Sequence, residues 1–164
     1  MARSASKRVT RECDAVLALP FGPFGICLAD ERIEELCFLP PGTSLRPPRS
    51  ELAHRTAAAI QAWLEDPASV EELPFSRRGT PFQQRVWHAI CSIPAGETRT
   101  YGALAQELGS AARAVGQACG ANPFPLLVPC HRVTAAAGIG GFANARGGWL
   151  IEAKRWLLAH EGRR

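Results

Sequence analysis

Residues 100–121 read TYGALAQELGSAARAVGQACGA, and the punctuation of this run decides the fold of the second half of the chain. Thr100 is placed to cap a helix over Tyr101 to Leu108, and Gly109 ends it, because glycine enters the left-handed conformation without a steric cost. Ser110 is then expected to cap a further helix from Ala111 to about Ala121. Two short helices around a tight glycine turn make a helix-turn-helix, a unit that commonly meets nucleic acid; an αα-corner that only packs is the other reading.

Working outward, Thr80-Pro81-Phe82-Gln83 combines an N-cap threonine, proline at the first helical position and a glutamine that completes a capping box. Phe82, Val86, Ile90 and Ile93 then share one face, and Pro94-Ala95-Gly96 turns the chain towards Thr100. The helix that follows Ser110 carries side chains too short to reach base edges in a major groove. One projecting arginine, Arg113, on an otherwise smooth surface suits the minor groove, where it can take the place of an extruded base. The plainer reading is that the alanines pack closely and Arg113 pairs with a carboxylate.

The first half reads differently. Apolar runs at Ala15–Leu19, Phe24–Leu28 and Ile33–Leu39 are separated by Pro20-Phe21-Gly22-Pro23 and Asp30-Glu31-Arg32, which predicts a small antiparallel meander. Pro40 to Arg49 is a proline-rich loop. Leu52, Thr56, Ile60 and Trp63 keep helical spacing over Glu51 to Leu64, and Asp66-Pro67 stops that helix. A short strand and linker are expected from Ala68 to Gly79. The organisation is thus a flexible tail over 1–12, an α/β domain over 13–78 and a mainly helical domain over 79–164.

Composition sets bounds on function. The chain has 164 residues, 46% of them apolar, enough for a core. It holds no uninterrupted apolar run of about 18 residues, so a membrane-spanning role is excluded. Met1 to Arg11 is basic but has no apolar stretch after it, which points to a cytoplasmic protein. Six cysteines at wide, irregular spacing favour free thiols over disulfides. None forms Cys-x-x-Cys, so no metal or other cofactor is assigned; a scattered site drawing on Cys13, Cys27 or His54 stays open. Residues 1–78 carry 10 Lys/Arg against 11 Asp/Glu, while residues 79–164 carry 9 against 4. The basic surplus of the second half fits a polyanionic partner and is also ordinary for a protein surface.

The chemistry centres on Val128-Pro129-Cys130-His131-Arg132-Val133. A thiolate attacks where a thiol does not, and a nearby imidazole, an arginine such as Arg132 or a helix N-terminus lowers a cysteine pKa. Adjacent residues point to opposite faces of a strand and diverge by about 100° on a helix, so Cys130 and His131 need a turn or a bridging water to exchange a proton. By itself a Cys-His pair is more often a buried structural cysteine. Gly138-Ile139-Gly140-Gly141 lacks the strand and helix context of a phosphate loop and is read as a hairpin turn.

Thr98-Arg99-Thr100-Tyr101, Ala111 to Gly116, Asn122-Pro123, Val128 to Val133 and Trp156 to Glu161 occur in one order over Thr80 to Glu161. This pattern resembles the O6-alkylguanine-DNA alkyltransferases, and the first half matches only loosely. The resemblance implies a small ribonuclease-H-like α/β domain followed by a winged-helix-like domain with a helix-turn-helix. It implies a monomer that binds double-stranded DNA containing O6-alkylguanine through the minor groove. The implied reaction is direct-reversal repair: Cys130 takes the alkyl group irreversibly, once per molecule. His131 would accept the thiol proton through a water, Glu161 would hold the other imidazole nitrogen, and Tyr101 would donate to the departing guanine. Arg113 corresponds to the finger that replaces the flipped base, flanked on the DNA side by Thr100, Ala112, Ala114 and Gly116. Asn122 corresponds to a hinge, with Pro125 and Phe142 at the pocket.

The chain departs from the family's pattern in the short turn Leu108-Gly109-Ser110 and in the long loop Phe142 to Trp149, where Phe142 stands in place of a frequent tyrosine. That loop should affect which alkyl groups fit. A non-catalytic lesion-binding module of the alkyltransferase-like kind is the alternative, and the presence of Cys130 argues against it. A helix-turn-helix transcription factor would want longer base-reading side chains over Ala111 to Ala121 and has no use for Pro129-Cys130-His131.

Overall fold

Alternation of apolar residues builds the first element of the fold. In the computed structural model, which describes residues 12–69 and 71–162, β1 (Ala15–Leu19), β2 (Gly22–Ala29) and β3 (Arg32–Phe38) form an antiparallel meander in that order. The tail expected over 1–12 lies, apart from Glu12, outside the described residues. Ile26 pairs with Ala15 on one side and Leu36 on the other, and these three with Phe24 are buried in the main core. Val16, Cys27, Cys37 and Leu39 gather with Cys13 in a separate small cluster, as a period of two requires of the opposite face. Arg32, expected in the second turn, instead starts β3: Asp30 and Glu31 alone make the turn, both at positive φ as a tight two-residue hairpin demands.

Ser50 caps α1 (Glu51–Glu65) by accepting from the Ala53 N–H, and Ala53, Thr56, Ile60 and Trp63 bury one face of it. The strand expected within 68–79 does not form among the described residues. Ile33 N–H donates to Pro74 O and Ser76 N–H to Ile33 O, which leaves a single isolated bridge at Phe75. Pro74 has no N–H, so it cannot supply the alternating donors of a strand.

The capping box at Thr80 is complete, with Gln83 N–H on Thr80 Oγ1 and Thr80 N–H on Gln83 Oε1, and it opens α2 (Pro81–Cys91). Thr100 caps α3 (Tyr101–Leu108), and Gly109, at φ +64°, ends it. Ser110 does not cap α4 (Ala112–Gly120); Ala111 holds the N-cap position without a side-chain bond. The Ser110 N–H donates to Ala105 O and so closes the end of α3, and α4 begins one residue later than the serine could cap. Trp87 Nε1 donates to Ala118 O, and Arg85 Nη2 donates to Leu108 O, fixing α3 and α4 against α2.

Two short parallel strands, β4 (Arg99–Thr100) and β5 (Val133–Thr134), then set the geometry that matters most. β4 runs directly into Tyr101, and β5 leaves directly from a 3-10 turn at Cys130–Arg132, so their pairing brings Tyr101 to the cysteine. The hairpin turn expected at Gly138–Gly141 lies three residues earlier, closed by the Ala135–Gly138 bridge. Gly140 instead sits at φ +76° against the Tyr101 ring, where a Cβ would come within 3.1 Å of Cε2. Helix α5 (Trp149–Gly162) ends the described chain. Among the described residues no helix is long and apolar enough to cross a membrane.

One continuous core joins Phe24, Ile33 and Ile60 of the first half to Ile90, Val115 and Leu157 of the second. Polar contacts run the same way: Leu36 N–H donates to Pro123 O, and His160 Nε2 donates to Leu64 O at 2.6 Å. Phe75 packs on Phe124 and Phe21 on Trp156, at 4.7 and 5.6 Å between ring centroids.

Candidate active site

Cys130 opens the 3-10 turn and is 5% exposed. Asn122, just past α4, organises the approach to it. Its side-chain oxygen accepts from Phe124 N–H, and its amide donates to Val128 O at 2.8 Å and to Cys130 Sγ at 3.1 Å. The turn between Asn122 and Cys130 is therefore built on one amide side chain, helped by Leu126 at φ +75°.

The turn also carries His131 and Arg132 into the interior. Both are buried, as is Glu161 near the end of α5. His131 Nε2 lies 2.7 Å from Glu161 Oε1, while Arg132 donates to both carboxylate oxygens and to Ile93 O. Burial works to raise the Glu161 pKa, but the hydrogen bonds and charges of His131 and Arg132 prevail and bring it down to about 2. Burial lowers the His131 pKa, outweighing the pull of Glu161. A neutral imidazole beside an ionised carboxylate, which can only accept, carries its proton on Nε2. Nδ1 is left as the basic nitrogen, and this buried atom has no hydrogen-bond partner among the described residues.

The expectation that His131 or Arg132 lowers the cysteine pKa is overturned. The Cys130 pKa is raised well above its ordinary value, first by the neighbouring Cys119 thiol and next by burial, with Asn122 pulling the other way. Arg132 is spent on Glu161 and Ile93 and lends the sulfur no hydrogen bond. Cys130 therefore rests as a thiol, and a base is needed when it reacts.

Cys130 faces a cavity of about 380 Å³, bounded by Tyr101 on α3, by Arg113, Gly116 and Cys119 on α4, and by the loop from Gly141 to Arg146. Phe142 is buried in that loop, 5.1 Å from the Phe38 ring, and Asn144 Nδ2 closes the loop onto Gly120 O. Arg113 and Ala112 are exposed on α4, and Ala114 and Gly116 are half-buried. Thr100 spends its hydroxyl on the Ala103 N–H. Pro125 is buried but does not line the cavity: the Asn122 turn, not this proline, faces the thiol.

Tyr101 donates to Gly141 O at 3.2 Å, and burial raises its pKa to about 12, so it keeps its proton at neutral pH and acts as a donor. The same carbonyl accepts from Lys154 Nζ at 2.8 Å, and Lys154 also donates to Val133 O at 2.7 Å. Lys154 is fully buried, and burial lowers its pKa to about 8. Sequence reasoning misses this lysine, although its spacing of three from both Ile151 and Leu157 puts it on their helix face and is a signal, since few lysines are buried without a purpose.

The family model of the 6-O-methylguanine DNA methyltransferase DNA-binding domain matches residues 81–163. The methylated-DNA–protein-cysteine methyltransferase of Salmonella typhimurium is 49% identical over 98 residues, covering 58% of this chain and 54% of that protein. The chain thus spans about half the length of that relative. The enzyme of the same name from Mycobacterium tuberculosis is 39% identical over 150 residues, 87% of each chain. The crystal structure of Mycobacterium tuberculosis OGT in complex with DNA is similar with a TM-score of 0.73 and 34% identity, over 91% of this chain and 92% of that one.

Proposed function

Because the chain belongs to the 6-O-methylguanine DNA methyltransferase family, we propose that it repairs alkylated DNA by moving the alkyl group from guanine O6 to its own Cys130. The observation that carries this reading is the pairing of a buried thiol at a cavity with an imidazole whose Nε2 is held by Glu161 and whose Nδ1 is free to accept a proton.

The Cys130 sulfur attacks the alkyl carbon in line with the carbon–oxygen bond; the sulfur–carbon bond forms as that bond breaks. A water carries the thiol proton to His131 Nδ1, and the imidazolium is stabilised by the Glu161 carboxylate. Negative charge developing on guanine is met by the Tyr101 hydroxyl, which turns from Gly141 O to the base. The departing guanine ends with the one proton the thiol gave up. A thioether is not hydrolysed, so each molecule acts once.

The partner is double-stranded DNA carrying O6-alkylguanine, approached from the minor groove. Ala112, Ala114 and Gly116 give α4 a smooth surface, and Arg113 holds the place of the flipped nucleotide. Asn122 serves as the hinge, and Phe142 bounds the alkyl group. We read residues 13–78 as a ribonuclease-H-like domain and residues 79–164 as a winged-helix-like one, acting as a monomer. Six cysteines with no disulfide among them fit the cytoplasm, a reducing compartment.

The test is made on the DNA. A duplex oligonucleotide with one O6-methylguanine is mixed with a series of protein amounts, and the guanine restored is counted after digestion. The proposal requires one guanine per chain with no further turnover, and none with Cys130→Ala. Multiple turnover, or repair by Cys130→Ala, overturns it.

A further inference from the structure

Three thiols that the repair chemistry does not use meet on the outer face of the sheet. Cys13 precedes β1, Cys27 lies in β2 and Cys37 in β3. Cys13 Sγ is 2.7 Å from Cys27 Sγ and 3.8 Å from Cys37 Sγ, and all three sulfurs fall within 4.8 Å of one another. Cys13 and Cys27 are buried, and Cys37 is half-buried. Gly25, the strand partner of Cys37, makes the room: a Cβ there would stand 2.7 Å from Cys13 Sγ and 2.9 Å from Cys37 Sγ. The sulfurs fill a cradle that any other residue at position 25 would occupy.

We propose that Cys13, Cys27 and Cys37 bind a zinc ion, with Glu35 completing the set. Zinc bonds to thiolate at about 2.3 Å, and tetrahedral geometry then separates two sulfurs by about 3.8 Å. The Cys13–Cys37 pair already has that separation. The Cys13–Cys27 pair must open by about 1 Å, and Cys13, which precedes its strand, is the side chain placed to move. Glu35 stands opposite Cys27 in register and shares the face of Cys37 two residues on.

Three sulfurs at this spacing make a soft donor set, which suits zinc rather than a hard cation. On binding, zinc displaces the thiol protons and takes the place of the contacts between the sulfurs. The ion would tie the start of β1 to both other strands on a face whose apolar cover is little more than Val16 and Leu39. None of the three cysteines is spaced as Cys-x-x-Cys, which is why the chain order hides them; the meander brings them together.

The full-length protein, purified with reductant and stripped by a chelator, is titrated with zinc and separately with cobalt. The proposal requires one zinc per chain, a thiolate-to-cobalt absorption band, protection of three of the six thiols from a disulfide reagent, and a higher melting temperature with zinc. Cys27→Ser and Cys37→Ser should lose the zinc, while Cys91→Ser keeps it and Glu35→Gln binds more weakly. If the cysteine variants do not fold, thiol protection in the unaltered chain decides. No zinc uptake, uptake unchanged in Cys27→Ser, or a Cys13–Cys27 disulfide in the reduced, zinc-treated protein overturns the proposal.

Discussion

Glu161 Oε1 lies 2.7 Å from His131 Nε2, and this contact decides which end of the imidazole is left for chemistry. Nε2 is committed, Nδ1 is not, and the charge on Glu161 is matched by Arg132 rather than by a protonated His131. The base is therefore neutral and correctly oriented before any substrate arrives.

Glu161→Gln should slow transfer by at least about 100-fold, because the amide can donate to Nε2 and invert the tautomer. The change also leaves Arg132 buried without its counter-charge, at a cost of about 3 kcal/mol. Single-turnover kinetics on a duplex substrate and urea unfolding check the two effects separately.

Acid stability follows from the same carboxyl. Its pKa is about 2 in the folded chain against an ordinary 4.5, so the unfolded state binds more protons between those values. The stability it contributes, about 3 kcal/mol, is complete above about pH 4.5 and is lost as pH falls towards 2. Unfolding measured across that window should lose the steep slope in Glu161→Gln.

The rate of transfer should stay level as pH falls through 6.5, because the His131 pKa is lowered from that value and the base stays neutral. Single-turnover rates between pH 5 and 8 check this; a midpoint at or above 6.5 would show that Glu161 holds a charged imidazole.

Arg113→Ala should weaken repair of duplex DNA by about tenfold while sparing transfer from the free modified base, since extruding a base costs a few kcal/mol only when there is a stack to leave. Rates on the two substrates, compared for the variant and the unaltered chain, provide the check. Equal losses on both would move Arg113 from the DNA to the pocket wall.

A fragment of residues 79–164 should melt without cooperativity. It loses the carbonyl that His160 donates to, the β3 N–H on Pro123 O, and Trp63, which packs edge-on against His131 at 5.7 Å. Calorimetry decides, and a fragment that folds and repairs like the full chain would reduce the first half to an appendage.

Local chemistry was legible in the sequence wherever the residues that interact are close along the chain. The Thr80 capping box, the left-handed Gly109 and the three-strand meander needed only neighbours. Ser110 misled because its N–H closes the first helix and α4 begins one residue later than the serine could cap. Arg132 looked like an activator of the thiol, yet its partners, Ile93 and Glu161, lie 39 and 29 residues away. The role of Lys154 was hidden for the same reason: it answers to carbonyls 13 and 21 residues distant. Cys130 and His131 carried the chemistry on their face, but which imidazole nitrogen was free could be read only once α5 had been packed against the turn.

The most direct test of the account is the mass of the protein itself. After one equivalent of O6-methylguanine duplex, intact-protein mass spectrometry with peptide mapping should find a single added methyl group, on Cys130 and nowhere else. A chain that binds the lesion tightly and gains no mass, or that carries the methyl on Cys119 instead, would contradict it.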